Sequence, residues 1–157
     1  MTTYFEGLNE GHCFKVVYSL FDFLEREKKN SGREDLFEDE GDDNFKTFGA
    51  FGSARWKKHL MAGEIPTVLV SGVVGRTFFS GQDDHLDDEV NAFNFLMENG
   101  CMIKEGMYFN DKEDFFLYKK GVGINILYAF DLPEYLHLKN DCNYSDAVVV
   151  KVEILLL

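Results

Sequence analysis

The sequence predicts an α+β fold in which an antiparallel-rich sheet carries two main amphipathic helices packed on it. Three observations lead to this prediction. In two segments, apolar residues recur at spacings of three and four, which is the period of an α-helix. Apolar runs of strand length, rich in β-branched and aromatic residues, fill much of the remaining chain. The breaks between the later runs are short enough for hairpins, which favours antiparallel pairing.

The first main helix is predicted over residues 10–29. Its apolar stripe consists of Phe14, Val17, Tyr18, Phe21 and Leu24. Asn9 is placed as its N-cap, and Gly32 follows the last turn, where a glycine commonly ends a helix. A strand over residues 15–20 is the competing interpretation, because the sequence there is rich in β-formers.

The second main helix is predicted over residues 86–99 and ends at Gly100. Its stripe consists of Leu86, Val90, Phe93 and Met97. A shorter helix is predicted over residues 54–62, with Ser53 as its N-cap and Gly63 after its last turn.

The remaining apolar runs predict strands, namely 67–74, 101–109, 115–119, 124–130 and 147–156, together with a short strand over 45–51. In the last run, the valines at alternate positions share one face with Ile154, whereas Lys151 and Glu153 lie on the other. We find no repeat and no linker, so the sequence predicts a single domain over residues 1–157. Residues 33–44 carry seven acids in twelve positions, which predicts a mobile acidic loop.

The charge of the chain narrows the classes of partner. The sequence contains 28 acidic and 16 basic residues, for a net charge of −12. Such a field repels nucleic-acid phosphates and anionic membranes, so we expect no direct contact with either. The same field attracts a basic protein partner.

The cysteines and the N-terminus predict a cytoplasmic location. Cys13, Cys101 and Cys142 are odd in number and widely spaced, which favours reduced thiols over a disulfide framework. Cys13 lies within an apolar stripe and is expected to be buried and inert. The first residues show neither a basic region nor an apolar core of a secretory signal. The composition does not predict the oligomeric state.

Two acidic segments are the main candidates for binding a partner. The first candidate contacts lie at the predicted start of the second helix, namely Asp83, Asp84, Asp87 and Asp88. The others lie in the acidic loop, namely Glu38, Asp39 and Glu40. An alternative for the aspartates is stabilisation of the helix N-terminus through its dipole. The segment over residues 83–89 lacks the glycine-containing pattern of a calcium loop, so no metal site is predicted.

Trp56 is the remaining candidate contact. It is the only tryptophan and lies in a basic patch, residues 55–59, within a strongly acidic chain. Tryptophan is a favoured interface anchor, so Trp56 is predicted to contact the partner. The alternative is an indole that turns inward.

No motif in the chain predicts catalytic residues or a cofactor. The four histidines are scattered, and residues 72–77 lack the spacing of a phosphate-binding loop. Active-site residues can nevertheless converge from distant positions. Glu64, Glu89, Glu105 and Tyr108 are residues that a cleft could bring together.

These observations favour an acidic inhibitor that occupies a basic partner. The partner would be a nuclease toxin, as for an immunity protein, or a nucleic-acid-binding enzyme blocked by a mimic of DNA. The alternative is a small enzyme or ligand-binding domain whose site no motif reveals. A third interpretation is an assembly subunit that pairs through its valine-rich terminal strand.

Overall fold

The computed structural model describes residues 13–33, 48–80 and 90–156. Within them the strands are β1 (Cys13–Ser19), β2 (Thr67–Phe78), β3 (Ala92–Met97), β4 (Met102–Gly106), β5 (Gly123–Ala129) and β6 (Val148–Leu156). The α-helices of these residues are α1 (Leu20–Ser31) and α2 (Ala54–Met61), and the 3-10 helices are η1 (Lys112–Leu117) and η2 (Pro133–Asp141). The predicted α+β class with an antiparallel-rich sheet is confirmed.

The six strands of the described residues form one sheet in the order β1-β6-β5-β2-β3-β4. Every neighbouring pair is antiparallel. Side chains directly opposite each other in such pairs lie on the same face. One face therefore carries the core, which includes Val74, Phe93, Phe95, Ile124, Ile126, Val152 and Ile154.

The sheet curls toward its core face, so that its two edge strands approach each other. In a flat sheet of this order, β1 and β4 would lie about 24 Å apart. Only a few residues separate the end of β4 from Asn110, whose N–H donates to the carbonyl of Val17 in β1 at 2.9 Å. Four residues span at most about 14 Å. The edges are therefore much closer than a flat sheet allows.

Helix α1 packs against β1 and β6, and Lys57 of α2 pairs with Glu25 of α1 at 3.4 Å. Leu20 and Leu24 form the buried face of α1, and Gly32 ends it at φ 69°. Ser53 is the N-cap of helix α2, and its hydroxyl accepts the N–H of Trp56 at 3.2 Å. Both the Ser53 cap and the Gly32 end were predicted from the sequence and are confirmed.

The predicted helix over residues 10–29 is wrong in its first half. Residues Cys13–Ser19 form β1 and pair with β6, and the helix begins only at Leu20. The competing interpretation of a strand near residues 15–20 was closer to the structure. The apolar residues of this segment fit both periods, and pairing with β6 selects the strand. Asn9 lies outside the described residues.

The other main helix, predicted over residues 86–99, is also wrong where it can be compared. Ala92–Met97 is β3, because Phe93, Phe95 and Met97 alternate and all three pack into the core. The second helix of the described residues is instead the short one, α2. Residues 86–89 lie outside the described residues.

Two shorter strands were predicted incorrectly. Residues 115–117 belong to η1 and not to a strand. The strands β4 and β5 on either side of η1 are not neighbours in the sheet, so they do not form a hairpin. Of the predicted strand over 45–51, the described residues 48–51 form turns. The strands predicted over 67–74, 124–130 and 147–156 are confirmed as β2, β5 and β6, although β2 extends to Phe78.

The cysteines also differ from the prediction. Cys101 and Cys142 form a disulfide, whereas reduced thiols were expected. The two residues are 41 positions apart in sequence, and only the fold brings their Cα atoms to 5.5 Å. Cys13 is a free thiol but is exposed rather than buried. Its position at the start of an edge strand leaves it on the surface.

Candidate functional site: an aromatic groove with a carboxylate at one end

A groove lined by aromatic side chains opens where the two edges of the curled sheet approach each other. Its apolar section, about 370 Å³, has walls that include Tyr18, Phe23, Phe51, Tyr108 and Phe109. Its polar section, about 300 Å³, has walls that include Glu105, Asn143, Tyr144 and Ser145. Both sections share Tyr108, Ala147 and Val149, so we treat them as one feature, the aromatic groove.

The apolar section has a buried wall and an accessible rim. The ring centroids of Tyr18 and Tyr108 are 5.0 Å apart, and those of Tyr18 and Phe23 are 6.3 Å apart. Tyr18 is only 5% exposed, whereas Phe23 is 40% exposed. Rigid aromatic rings in this arrangement provide contact area at a low cost in conformational entropy.

Hydrogen bonds from Asn110 hold the segment that carries Tyr108 and Phe109. The Asn110 side chain accepts the N–H of Ser19 at 2.7 Å and donates to the Ser19 carbonyl at 3.3 Å. Arg26 donates to the Asn110 carbonyl and pairs with Asp111 at 3.1 Å. These contacts fasten residues 107–109 to the junction of β1 and α1, so the groove wall is preorganised.

Glu105 supplies the carboxylate of the polar section. It lies on the core face, since it is the register partner of the buried Phe93. One carboxylate oxygen accepts the Tyr128 hydroxyl at 2.6 Å, and the other accepts the N–H of Gly106 at 2.9 Å. These two bonds orient the group, and a carboxylate retains further acceptor sites beyond two donors.

The charged groups around Glu105 in the described residues bear on what it can bind. Within residues 13–33, 48–80 and 90–156, no Lys, Arg or His forms an ion pair with Glu105. Lys104 contributes to the wall, but its ammonium group lies over the ring of Phe78 at 5.8 Å from the ring centroid. The oriented carboxylate therefore faces the groove without an internal cation from the described residues.

The tyrosines around the groove keep their protons at neutral pH. Burial, followed by the negative charge of Glu105, raises the pKa of Tyr128 far above its usual value. The same two causes raise the pKa of Tyr108. Burial raises the pKa of Tyr18 to about 12. Their hydroxyls are thus hydrogen-bond donors, and that of Tyr128 donates to Glu105.

The disulfide forms part of the wall of the polar section. Cys142 lines that section and is bonded to Cys101, which precedes β4. Cys142 is also the C-cap of η2, and its N–H donates to the carbonyl of Lys139 at 3.2 Å. The crosslink therefore joins the segment after η2 to the strand that carries Glu105.

Trp56 turns inward, as one of its two sequence interpretations proposed. Its side chain is fully buried, with 0% exposure, and its indole N–H donates to Asp131 at 3.1 Å. Phe51 packs edge-on against the indole at 5.0 Å. The inward-turned alternative therefore describes Trp56 in this structure, and its contact with a partner stays a prediction. A tryptophan at the buried position of a short amphipathic helix removes a large apolar area from water and so stabilises the core.

The structure does not place the other predicted contacts. Asp83, Asp84, Asp87 and Asp88 lie outside the described residues, and so do Glu38, Asp39 and Glu40. These seven residues stay predictions.

Of the four residues considered for a cleft, Glu105 and Tyr108 do line one cavity. Glu64 pairs instead with His59 at 3.0 Å on the surface near α2. Glu89 lies outside the described residues. Sequence reasoning missed Tyr18, Phe23 and Phe109 as a group, and the only signal for them was the high aromatic content of 15%.

Further features of the described residues bear on the kind of site. No group of three or more His, Cys, Asp or Glu side chains in the described part is arranged to hold a metal ion. None of the described helices is both long and apolar enough to span a bilayer.

Comparison with known proteins identifies the family. No curated protein matches the chain. A family model described as Immunity protein RhsI2 matches residues 14–154, which is nearly the whole chain. This match supports the inhibitor interpretation over the alternative of a small enzyme. The chain belongs to the RhsI2 immunity protein family, and it inhibits a toxin through protein–protein contact.

Proposed function

We propose that this immunity protein inhibits its toxin by occupying a basic surface, and that the toxin is a nuclease. The observation that carries the proposal is the excess of 28 acidic over 16 basic residues. A nuclease must present positive charge to the phosphates of its substrate. An acidic inhibitor that covers this charge excludes the substrate and gains electrostatic complementarity at the same time.

The two acidic segments are the proposed source of electrostatic steering. Asp83, Asp84, Asp87 and Asp88 concentrate negative charge in one short stretch, and Glu38, Asp39 and Glu40 do so in another. Clustered carboxylates raise the rate of encounter with a basic protein. The same charge disfavours direct binding of nucleic acid by the immunity protein itself. A nucleic-acid-binding enzyme other than a nuclease would present a similar basic surface, and an assay of nuclease activity distinguishes the two.

The experiment measures the association rate of the immunity protein with its toxin as salt increases. We expect the association rate to fall by about tenfold or more from low to high salt, because charges that steer encounter are screened. Replacing Asp83, Asp84, Asp87 and Asp88 together by asparagine should slow association more than it speeds dissociation. Stopped-flow fluorescence or surface binding kinetics provides both rates.

A second variant with the same change in net charge provides the control. It replaces exposed acids elsewhere, namely Asp22, Glu27, Glu134 and Asp141. An equal loss of association rate in the control would remove the special role of the 83–88 segment. An association rate that does not change with salt would contradict a basic partner surface altogether. Absence of nuclease activity in the free toxin would contradict the assignment of its class.

We infer a cytoplasmic site of action, because a nuclease toxin must be blocked where its substrate lies. The Cys101–Cys142 disulfide is unusual for a reducing compartment and weighs against this inference. Alkylation of thiols in intact cells, followed by mass spectrometry, measures the state of the pair where the protein acts. Localisation of a tagged chain outside the cytoplasm would overturn the inference.

A further inference from the structure

We infer that the aromatic groove is a docking site for a segment of the toxin that presents a Lys or Arg next to an apolar side chain. This inference rests on the proposed basic surface of the toxin and assigns it a specific point of contact. The cation would lie against Glu105, and the apolar side chain would fill the section between Tyr18, Phe23 and Phe109.

The polar section determines the charge of the occupant. Glu105 is oriented by Tyr128 and Gly106, and within the described residues no basic side chain forms an ion pair with it. The side-chain carbonyl of Asn143 accepts the N–H of Ser145 at 3.0 Å and its hydroxyl at 2.6 Å. An anionic occupant would be repelled, whereas an ammonium or guanidinium group gains a charge-assisted hydrogen bond to the carboxylate.

The apolar section determines the rest of the occupant. Phe23 is a large apolar side chain with 40% exposure at its rim, and the half-buried Phe109 also lines the wall. Long basic side chains place their aliphatic stems on aromatic surface while the charged end reaches a polar site. Tyr108 lies in both sections and offers this surface between them.

The volume of the groove fits side chains rather than a folded element. The two sections, about 370 and 300 Å³, are each of the size that accommodates a side chain or two. Their walls are fixed by the Asn110 hydrogen bonds on one side and by the disulfide on the other. A preorganised pocket that receives an aromatic or basic anchor is typical of the residues that dominate binding energy at an interface.

The test measures the dissociation rate of the complex with the toxin for two groove variants. Glu105→Gln keeps the shape of the side chain and removes its charge, and it should weaken binding by about 30-fold, mainly through faster dissociation. Phe23→Ala changes only the rim and should weaken binding by about tenfold. Each variant is first compared with the wild type by thermal unfolding, so that a loss of fold is recognised.

Each variant has a matched control outside the groove. Glu27→Gln makes the same change in net charge on the exposed surface of α1, and Phe116→Ala truncates the same residue type at a position with 68% exposure. Both controls should leave the dissociation rate within about twofold of wild type. If Glu105→Gln unfolds the protein, Phe23→Ala and Phe116→Ala still decide the question.

The outcomes separate this inference from the proposed function. Salt-sensitive association with normal dissociation of both groove variants would overturn the docking site and leave the basic-surface proposal intact. Fast dissociation of Glu105→Gln and Phe23→Ala with salt-independent association would support the docking site and overturn the basic-surface proposal. Equal effects of the variants and their controls would overturn the docking site.

Discussion

Individual residues take their roles from neighbours that are distant in sequence. Trp56 has the residue type and the charged surroundings of an interface anchor, yet it is buried and bonded to Asp131, which is 75 positions away. Glu105 looks like an ordinary polar residue of an edge strand. The Tyr128 hydroxyl makes it an oriented carboxylate at the end of a groove. Residue type alone therefore does not reveal the environment of either residue.

Gly72 shows how a single residue controls the pairing of two strands. It lies in β2 opposite Met97, and a Cβ atom at this position would overlap the backbone carbonyl oxygen of Leu96. Residues 72–77 all belong to β2, and the pairing with β3 shifts register between Val74 and Thr77. The glycine is required here because the β3 backbone approaches so closely.

We predict that Gly72→Ala lowers the free energy of unfolding by about 1–3 kcal/mol, the usual cost of overpacking. Backbone atoms cannot move aside as the end of a flexible side chain can, so β2 and β3 must separate. Urea unfolding followed by circular dichroism measures the change.

Gly75→Ala is the graded comparison for this prediction. Its added Cβ would lie 3.1 Å from the Asn94 carbonyl oxygen, so a small shift of the backbone relieves the contact. The loss of stability should be smaller than for Gly72→Ala. The same loss in both variants would argue against the close approach of Leu96.

At the scale of secondary structure, the ambiguous elements were those whose apolar residues fit two periods. Phe14 and Tyr18 are four apart, as are Phe93 and Met97, and each pair fits a helix as well as a strand. In both segments, pairing with an adjacent strand decided the outcome. Elements with local end signals, such as α2 after Ser53, were predicted closely because their signals do not depend on distant partners.

The disulfide between Cys101 and Cys142 restrains the segment that follows η2. We predict that Cys101→Ser with Cys142→Ser destabilises the protein by about 4 kcal/mol in the chain-entropy description of a crosslink over 41 residues. The loss arises because the unfolded chain regains the freedom that the crosslink removes. Differential scanning calorimetry of the variant measures it, as does calorimetry of the wild type in a reducing agent.

Cys13→Ser provides the control for the disulfide prediction. Cys13 is exposed and free, so its replacement should change stability by less than about 0.5 kcal/mol. A wild-type protein whose unfolding temperature does not respond to reducing agent would show that the crosslink is absent in solution.

For the molecule as a whole, the curl of the sheet gathers tyrosines into one buried cluster. Among the described residues, five tyrosines have a raised pKa with burial as the largest cause in each case, namely Tyr18, Tyr108, Tyr118, Tyr128 and Tyr144. In the unfolded chain the same phenols titrate near pH 10. Folding therefore favours the protonated form of each of them.

We predict that the free energy of unfolding is independent of these tyrosines below about pH 10 and falls as the pH rises above it. Between the unfolded pKa and the raised folded pKa, the native state binds more protons than the unfolded state, so higher pH favours unfolding. For Tyr18 this window extends from about pH 10 to about 12. Urea unfolding at several alkaline pH values measures the slope.

Tyr18→Phe should reduce the alkaline slope, because it removes one phenol with a raised pKa. An equal slope in Tyr18→Phe and the wild type would contradict a burial effect on Tyr18.

The sequence by itself determined the α+β class, the cap at Ser53, the end at Gly32, the strands β5 and β6, and the net charge of −12. These features depend on local patterns and on composition, which can be seen without knowing which residues meet. The inhibitor class followed from the charge and the lack of catalytic motifs, and family membership supports it.

Tertiary structure alone decided that residues 13–19 and 92–97 are strands, that Trp56 is buried, and that Cys101 meets Cys142. It also brought the two edges of the sheet together and formed the aromatic groove from residues between Tyr18 and Val149. Each of these outcomes depends on contacts between residues far apart in the chain. Their energy comes from shared burial and pairing, and no local pattern records which partners will supply it.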